Sequence, residues 1–150
     1  MATKAQIDAF LSSPHIAVAG YSRSPKKFGS MVFRILKEKG HDVYAVNPAG
    51  GETPQGQTVY PDVMALPEKV KALLVVTKPD VAPGLVKQAL EKGITHIWIQ
   101  QMTGNKEVKE MLDASPVEQV YGHCILLHAQ PAGIHKAHRW ILNVFGRLPK

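Results

Sequence analysis

Short apolar runs alternate with helix-patterned segments along this chain, and that alternation constrains its fold more than any other feature. HIAVA (15–19), DVYAVNP (42–48), ALLVVTKP (72–79) and HIWIQ (96–100) each hold a nearly unbroken apolar stretch. A strand buried on both faces has this pattern, because it has no solvent side to mark with polar residues. Between the runs the spacing changes to the helical repeat. Met31, Val32, Ile35 and Leu36 share a face, with Lys37, Glu38 and Lys39 outside and Gly40 as a stop. A helix is expected over Val81–Lys92, with Asp80 as its N-cap, Pro83 in its first turn and Gly93 at its end. Another is expected over Asn105–Ser115, between Gly104 and Pro116.

The ends of the chain extend the pattern. KAQIDAFL (4–11) reads as a short amphipathic helix with Thr3 as N-cap, closed off by Pro14. QVYGHCILL (119–127) should hold a fifth strand and a turn. A last helix is expected over about 133–146, where Ile134, Ala137, Ile141 and Phe145 fall on one face. AGGETPQG (49–56) is a turn-rich excursion too short to separate domains. Strand–helix alternation implies a parallel sheet with right-handed crossovers and helices on both faces. The expectation is an α/β fold: one doubly wound, Rossmann-like domain over 1–150, its core at about 15–124.

Composition narrows the setting. The chain is 45% hydrophobic and 20% charged, an ordinary balance for a globule with a core. There is no signal-like or membrane-length apolar run, and one cysteine, Cys124, cannot form an internal disulfide. A cytoplasmic protein away from membranes is expected. The net charge of +6 favours anionic partners. It is gathered in one loop and near the C-terminus, not along a stripe, so a phosphorylated small molecule is expected and nucleic acid is not.

In such a fold a ligand lies beyond the carboxyl ends of the strands, where strand order reverses. AVAGYSRSPKKFGS (17–30) begins there as a nucleotide-binding loop would, but Ser22 stands where a dinucleotide fingerprint has its second glycine. Gly20 permits the tight turn and Gly29 the close approach of helix to sheet. Ser22, Arg23, Lys26 and Lys27 can meet phosphate at a helix N-terminus. At the second strand end Asn47 and Pro48 replace the acidic residue that holds an NAD ribose. A neutral end beside a cationic loop suits a nucleotide with an extra phosphate, either NADP or coenzyme A. At the third, Thr77, Lys78 and Pro79 can touch a ligand, and Asp80 can cap a helix; both roles stay open. At the fourth, Gln100 and Gln101 can read polar groups, while Trp98 belongs to the core.

Taken together, IAVAGYSRSPKKFGSMVFRILKEKGHDVYAVNP, VTKP and HIWIQ resemble the small bacterial coenzyme A-binding proteins. These are Rossmann-like domains similar to the nucleotide-binding domain of the succinyl-CoA synthetase α subunit. The resemblance covers about 15–124 and implies coenzyme A at the strand ends. By position it places Gly20, Ser22, Arg23 and Lys26 in the phosphate loop and Asn47 and Pro48 at the second strand end. Thr77, Lys78 and Pro79 fall near the adenosine, with Gln100 beyond. It implies a binding module without chemistry of its own, holding the coenzyme or an acyl form. The alternatives are an NADP-dependent oxidoreductase and the nucleotide-binding subunit of an acyl-CoA ligase-type complex.

The tail, CILLHAQPAGIHKAHRWILNVFGR, departs from the pattern with a histidine-rich final helix. His135 and His138 could share a face, but no CxxC or HExxH accompanies them, so surface or interface histidines are the simpler account than metal. Trp140, Ile141, Val144 and Phe145 can cover the sheet or make a homodimer contact. The synthetases carry a phosphohistidine in a second domain; His123 has no such setting here, and Cys124 in an apolar run reads as a buried small side chain.

Overall fold

A computed structural model describes residues 3–129. The expected last helix, its histidines and its homodimer face lie outside the described residues. Within them the elements run α1 (Lys4–Leu11), β1 (His15–Ala19), α2 (Phe28–Glu38), β2 (Asp42–Val46), β3 (Val59–Tyr60), β4 (Ala72–Val75), α3 (Ala82–Lys92), β5 (His96–Gln100), α4 (Lys106–Asp113), β6 (Glu118–His123) and α5 (Leu126–Ala129). The strands form one parallel sheet in the order β3-β2-β1-β4-β5-β6. Strand order reverses between β1 and β4, so a crevice opens there at the carboxyl edge.

Both faces of the sheet are covered, which is why its central strands carry no alternation. Ile16, Val18, Leu74 and Trp98 point into a core closed by α1, α2 and α5. Ala17, Ala19, Leu73, Val75, Ile97 and Ile99 point into the opposite core, under α3, α4 and the segment carrying Val63, Leu66 and Val70. Full burial of each Leu or Ile contributes about 1.5–3 kcal/mol. Trp98 is fully buried, as expected; its Nε1–H donates to the His123 carbonyl at 2.9 Å, and Phe10 meets its ring edge-on at 5.3 Å.

The helix signals act locally. Thr3 accepts from the Gln6 N–H while Gln6 accepts from the Thr3 N–H, a reciprocal capping box. Asn105 caps α4 through the Val108 N–H. Gly93 ends α3 in the left-handed conformation, at φ 89°. Asp80 does not cap α3. The Val81 N–H turns back to the Lys78 carbonyl, the cap position falls on Val81, and no side chain bonds the first turn. Pro83 lies in that turn, where a missing N–H costs nothing.

One further expectation needs correction. The sheet has six strands, not five, because two residues of β3 pair with β2 after the 49–56 excursion. The turn expected within 119–127 falls after β6, at Cys124, and leads into α5. The strands of the DVYAVNP and ALLVVTKP runs, β2 and β4, stop before their prolines, at Val46 and Val75, leaving Asn47–Pro48 and Thr77–Pro79 as loop.

One close contact fixes the start of α2 over the end of β1. A Cβ on Gly29 would lie 2.1 Å from the Gly20 carbonyl oxygen, and one on Gly20, at φ 109°, would lie 2.5 Å from the Val76 carbonyl oxygen. Backbone rests on backbone at both points. Gly29→Ala should therefore destabilise the protein by about 3 kcal/mol or more, seen as a lower urea midpoint with an unchanged slope.

Candidate functional site

Four loops meet at the carboxyl edge, following β1, β2, β4 and β5. The first three are tied by backbone and amide bonds. The Gly20 N–H donates to the Val46 carbonyl at 3.2 Å and the Val76 N–H to the Ala19 carbonyl at 2.8 Å. Asn47 Nδ2 donates to the Tyr21 carbonyl at 2.6 Å, and its Oδ1 accepts from the Ala49 N–H at 2.8 Å. Arg23 reaches across to donate to the Gly50 carbonyl at 3.0 Å. Thus Asn47 uses both ends of its amide to brace two loops, while Pro48 stands exposed beside it.

The loop itself is shaped for an anion. Ser22 Oγ accepts from the Ser24 N–H at 3.1 Å, and Ser30 Oγ donates to the Ser22 carbonyl at 2.9 Å. Residue 27 is the N-cap of α2, and no side chain caps the helix. Its first turn therefore presents the positive end of the helix dipole. Arg23, Lys26 and Lys27 are exposed around it, and none makes an ion pair with a carboxylate among the described residues.

Beside the loop a cleft of about 520 Å³ runs between the ends of β4 and β5. Phe28 and Val76 give it an apolar wall; Thr77, Lys78 and Pro79 form one lip, Gln100 to Thr103 the other. Gln100 is 4% exposed, and its amide oxygen accepts from the Ile125 N–H at 3.1 Å, so one end is anchored behind the cleft. Gln101 differs: its Oε1 is buried with no hydrogen-bond donor among the described residues. Met102 is 83% exposed and held at φ 71°, a left-handed conformation unusual for a side chain with a Cβ. Asn105 joins the two lips, donating from Nδ2 to the Pro79 carbonyl at 2.8 Å.

The structure thus gathers Gly20, Ser22, Arg23 and Lys26 in one loop and Thr77, Lys78, Pro79 and Gln100 in the adjoining cleft. Gln101, expected beside Gln100, lines the same cleft, and the structure adds Phe28, Val76, Met102 and Asn105 as shaping residues. Gln101 and Asn105 were visible from sequence as an amide and a helix start. The backbone angle of Met102 carried no signal.

Two titratable groups lie behind the cleft and outside its lining. Burial raises the Cys124 thiol above its usual range and lowers His123 below its own. A third cluster sits at the opposite edge, where the strands begin. There Asp42 accepts from the Tyr44 hydroxyl at 3.1 Å and faces His15 Nδ1 at 3.1 Å; burial, then the bond to Asp42, pushes Tyr44 up to about 12. Among the described residues no group of three or more His, Cys, Asp or Glu could hold a metal, and no helix is long and apolar enough to cross a membrane.

A model of the coenzyme A (CoA) binding domain matches residues 14–130. The chain belongs to this CoA-binding family. The domain is 35% identical over 126 residues to the alpha subunit of an ADP-forming acetate–CoA ligase II from Pyrococcus furiosus, covering 80% of this chain but only 27% of that subunit. It is 27% identical to the uncharacterised protein YneT of Bacillus subtilis, covering 82% of this chain and 91% of that protein. Among solved structures, a hypothetical protein from Pyrococcus horikoshii superposes with a TM-score of 0.77 at 32% identity, covering 83% of this chain and 87% of the other. The domain therefore spans about a quarter of the ligase subunit and nearly all of YneT.

Two outcomes follow from this geometry. Asn105→Ala removes the cap of α4 and the tie to Pro79, and should cost about 1–2 kcal/mol in urea unfolding; Asn105→Asp keeps the cap acceptor and should lose less. For His123 the unfolded chain binds a proton first, so the stability due to its neutral form is complete above the ordinary value of 6.5 and declines as pH falls below it. His123→Asn should flatten the urea midpoint between pH 7.5 and 5.5 relative to the parent. An unchanged slope with pH would remove His123 from the account.

Proposed function

We propose that this domain holds coenzyme A, free or as an acyl thioester, across the ends of β1, β4 and β5, and performs no chemistry of its own. One juxtaposition carries the reading: an uncapped helix start ringed by unpaired cations, opening beside a largely apolar cleft of about 520 Å³. Coenzyme A has matching halves, a polyanionic nucleotide and a long, mostly neutral pantetheine arm. The diphosphate takes the Gly20–Lys27 loop, where peptide dipoles and cations act together. The arm, in place of the adenosine that the resemblance put near Thr77, Lys78 and Pro79, takes the cleft, where Val76 and Phe28 offer dispersion contacts and the Gln101 oxygen offers an acceptor to an amide N–H. Membership of the CoA-binding family supports the ligand class.

Isothermal calorimetry on the purified chain tests this. Coenzyme A should bind more tightly than NADP or NAD. Affinity for NADP equal to or greater than that for coenzyme A would overturn the assignment. Arg23→Ala should weaken coenzyme A binding by about 1.5–3 kcal/mol, as expected for a charge-assisted bond. Affinity equal to the parent's would take Arg23 out of the site.

The similarity to acetate–CoA ligase alpha subunits supports a second reading, in which the domain lends its site to a ligase-type assembly. Capture of an acyl-CoA ligase subunit by the chain tests the assembly, and incubation of the chain alone with acetate, ATP and coenzyme A tests for activity of its own. The binding-module reading expects no thioester product. Turnover would replace it with catalysis.

A further inference from the structure

A second, smaller cavity of about 190 Å³ lies between the cationic loop, the flank of α2 and the 49–56 excursion. Tyr21 and Phe33 give it aromatic walls, Pro54 and Gln55 close one side, and the guanidinium groups of Arg23 and Arg34 stand on its rim. It shares no lining residue with the β4–β5 cleft. Its volume falls below the roughly 300–1,000 Å³ of sites that enclose a whole drug-sized ligand, so it suits one functional group.

The charged residues that line it, Arg23 and Arg34, are both cationic. Arg23 donates to the Gly50 carbonyl at 3.0 Å. Arg34 donates from both Nη atoms to the Pro25 carbonyl, at 3.3 Å each. These acceptors are neutral backbone oxygens, so they orient the guanidinium groups without neutralising them. Lys37, one turn further along α2, lies over Phe33 and bonds the Gln57 side chain. Glu38 lines the neighbouring hollow with Arg34 but is not within ion-pair distance of it. Two arginines held at one small cavity repel each other until an anion enters between them. A phosphate monoester carries nearly two charges near neutral pH and accepts a guanidinium fork in bidentate fashion.

We infer that this cavity seats the phosphate monoester on the ribose of coenzyme A, with Arg34 as the cation that tells coenzyme A from its dephosphorylated form. The inference rests on the coenzyme A reading and extends it. The diphosphate and the ribose monoester branch from opposite sides of one sugar, so they need neighbouring but separate cationic seats. The Gly20–Lys27 loop supplies one and the Arg23–Arg34 cavity the other, with Arg23 standing between them.

Calorimetric titration of coenzyme A and dephospho-coenzyme A into the parent, Arg34→Gln and Arg34→Lys chains tests the seat. Arg34 is solvent-exposed on α2, so both variants should fold, and their melting curves check this. The parent should prefer coenzyme A by about tenfold or more. Arg34→Gln should reduce that preference to within about threefold, and Arg34→Lys should fall between, because lysine keeps the charge but not the fork. Equal affinity of the parent for both ligands would overturn the seat while leaving coenzyme A binding in place. So would an Arg34→Gln chain that loses the same factor for both. If the parent binds neither ligand, the coenzyme A reading falls and the seat with it.

Discussion

The placement of α2 depends on one contact without side chains. Gly29 lies against the Gly20 carbonyl, and Gly20 lies against that of Val76. A Cβ at Gly29 would push the helix away from the sheet, and one at Gly20 would push the end of β1 away from the end of β4. Close packing there has two consequences. It aims the uncapped start of α2 at the crevice where strand order reverses, and it leaves Phe28 at the edge of the β4–β5 cleft. A helix start half a turn further off would offer neither its dipole nor its first aromatic side chain to that crevice. Packing and the make-up of the crevice therefore share a cause.

Around that contact the polar groups divide their work. Asn47, Ser30 and Asn105 spend hydrogen bonds on carbonyls of other loops, and each tie holds a loop whose backbone would otherwise move. Arg23 and Arg34 do the same from longer side chains, but a guanidinium has more donors than one carbonyl can use. The amides give the rim its shape. The arginines keep unsatisfied charge on it, held by bonds to neutral backbone carbonyls.

The sheet was legible because HIAVA, ALLVV and HIWIQ have no polar side to lose, and parallel strands covered on both faces require this. The cationic loop after β1 was legible because glycine spacing and clustered cations are local properties of 20–29. What escaped was non-local or too short. Val59–Tyr60 is too brief to show a period, and its pairing depends on the turn before it. Asp80 looked like a cap because an acid preceding a proline-bearing turn usually is one, but the turn from Lys78 moved the start of α3 past it. Arg34 was one more charge on a solvated helix face. Only the fold of the 49–56 excursion brings it to a cavity with Arg23.

The chemistry available in the cleft also bears on what the domain does. Lys78 is the one titratable side chain among the described residues that line it; the rest are amides, hydroxyls and apolar groups. Cys124 and His123 lie behind it, and burial favours the neutral form of each, raising the thiol and lowering the imidazole. A neutral buried thiol is a weak nucleophile, and a buried imidazole that resists protonation is a poor acid. The lining instead supplies what holds a long neutral arm in place: dispersion along Phe28 and Val76, and a buried amide acceptor at Gln101. On the coenzyme A reading, a site built this way gains from the ligand's length and charge and makes little demand on its reactive end.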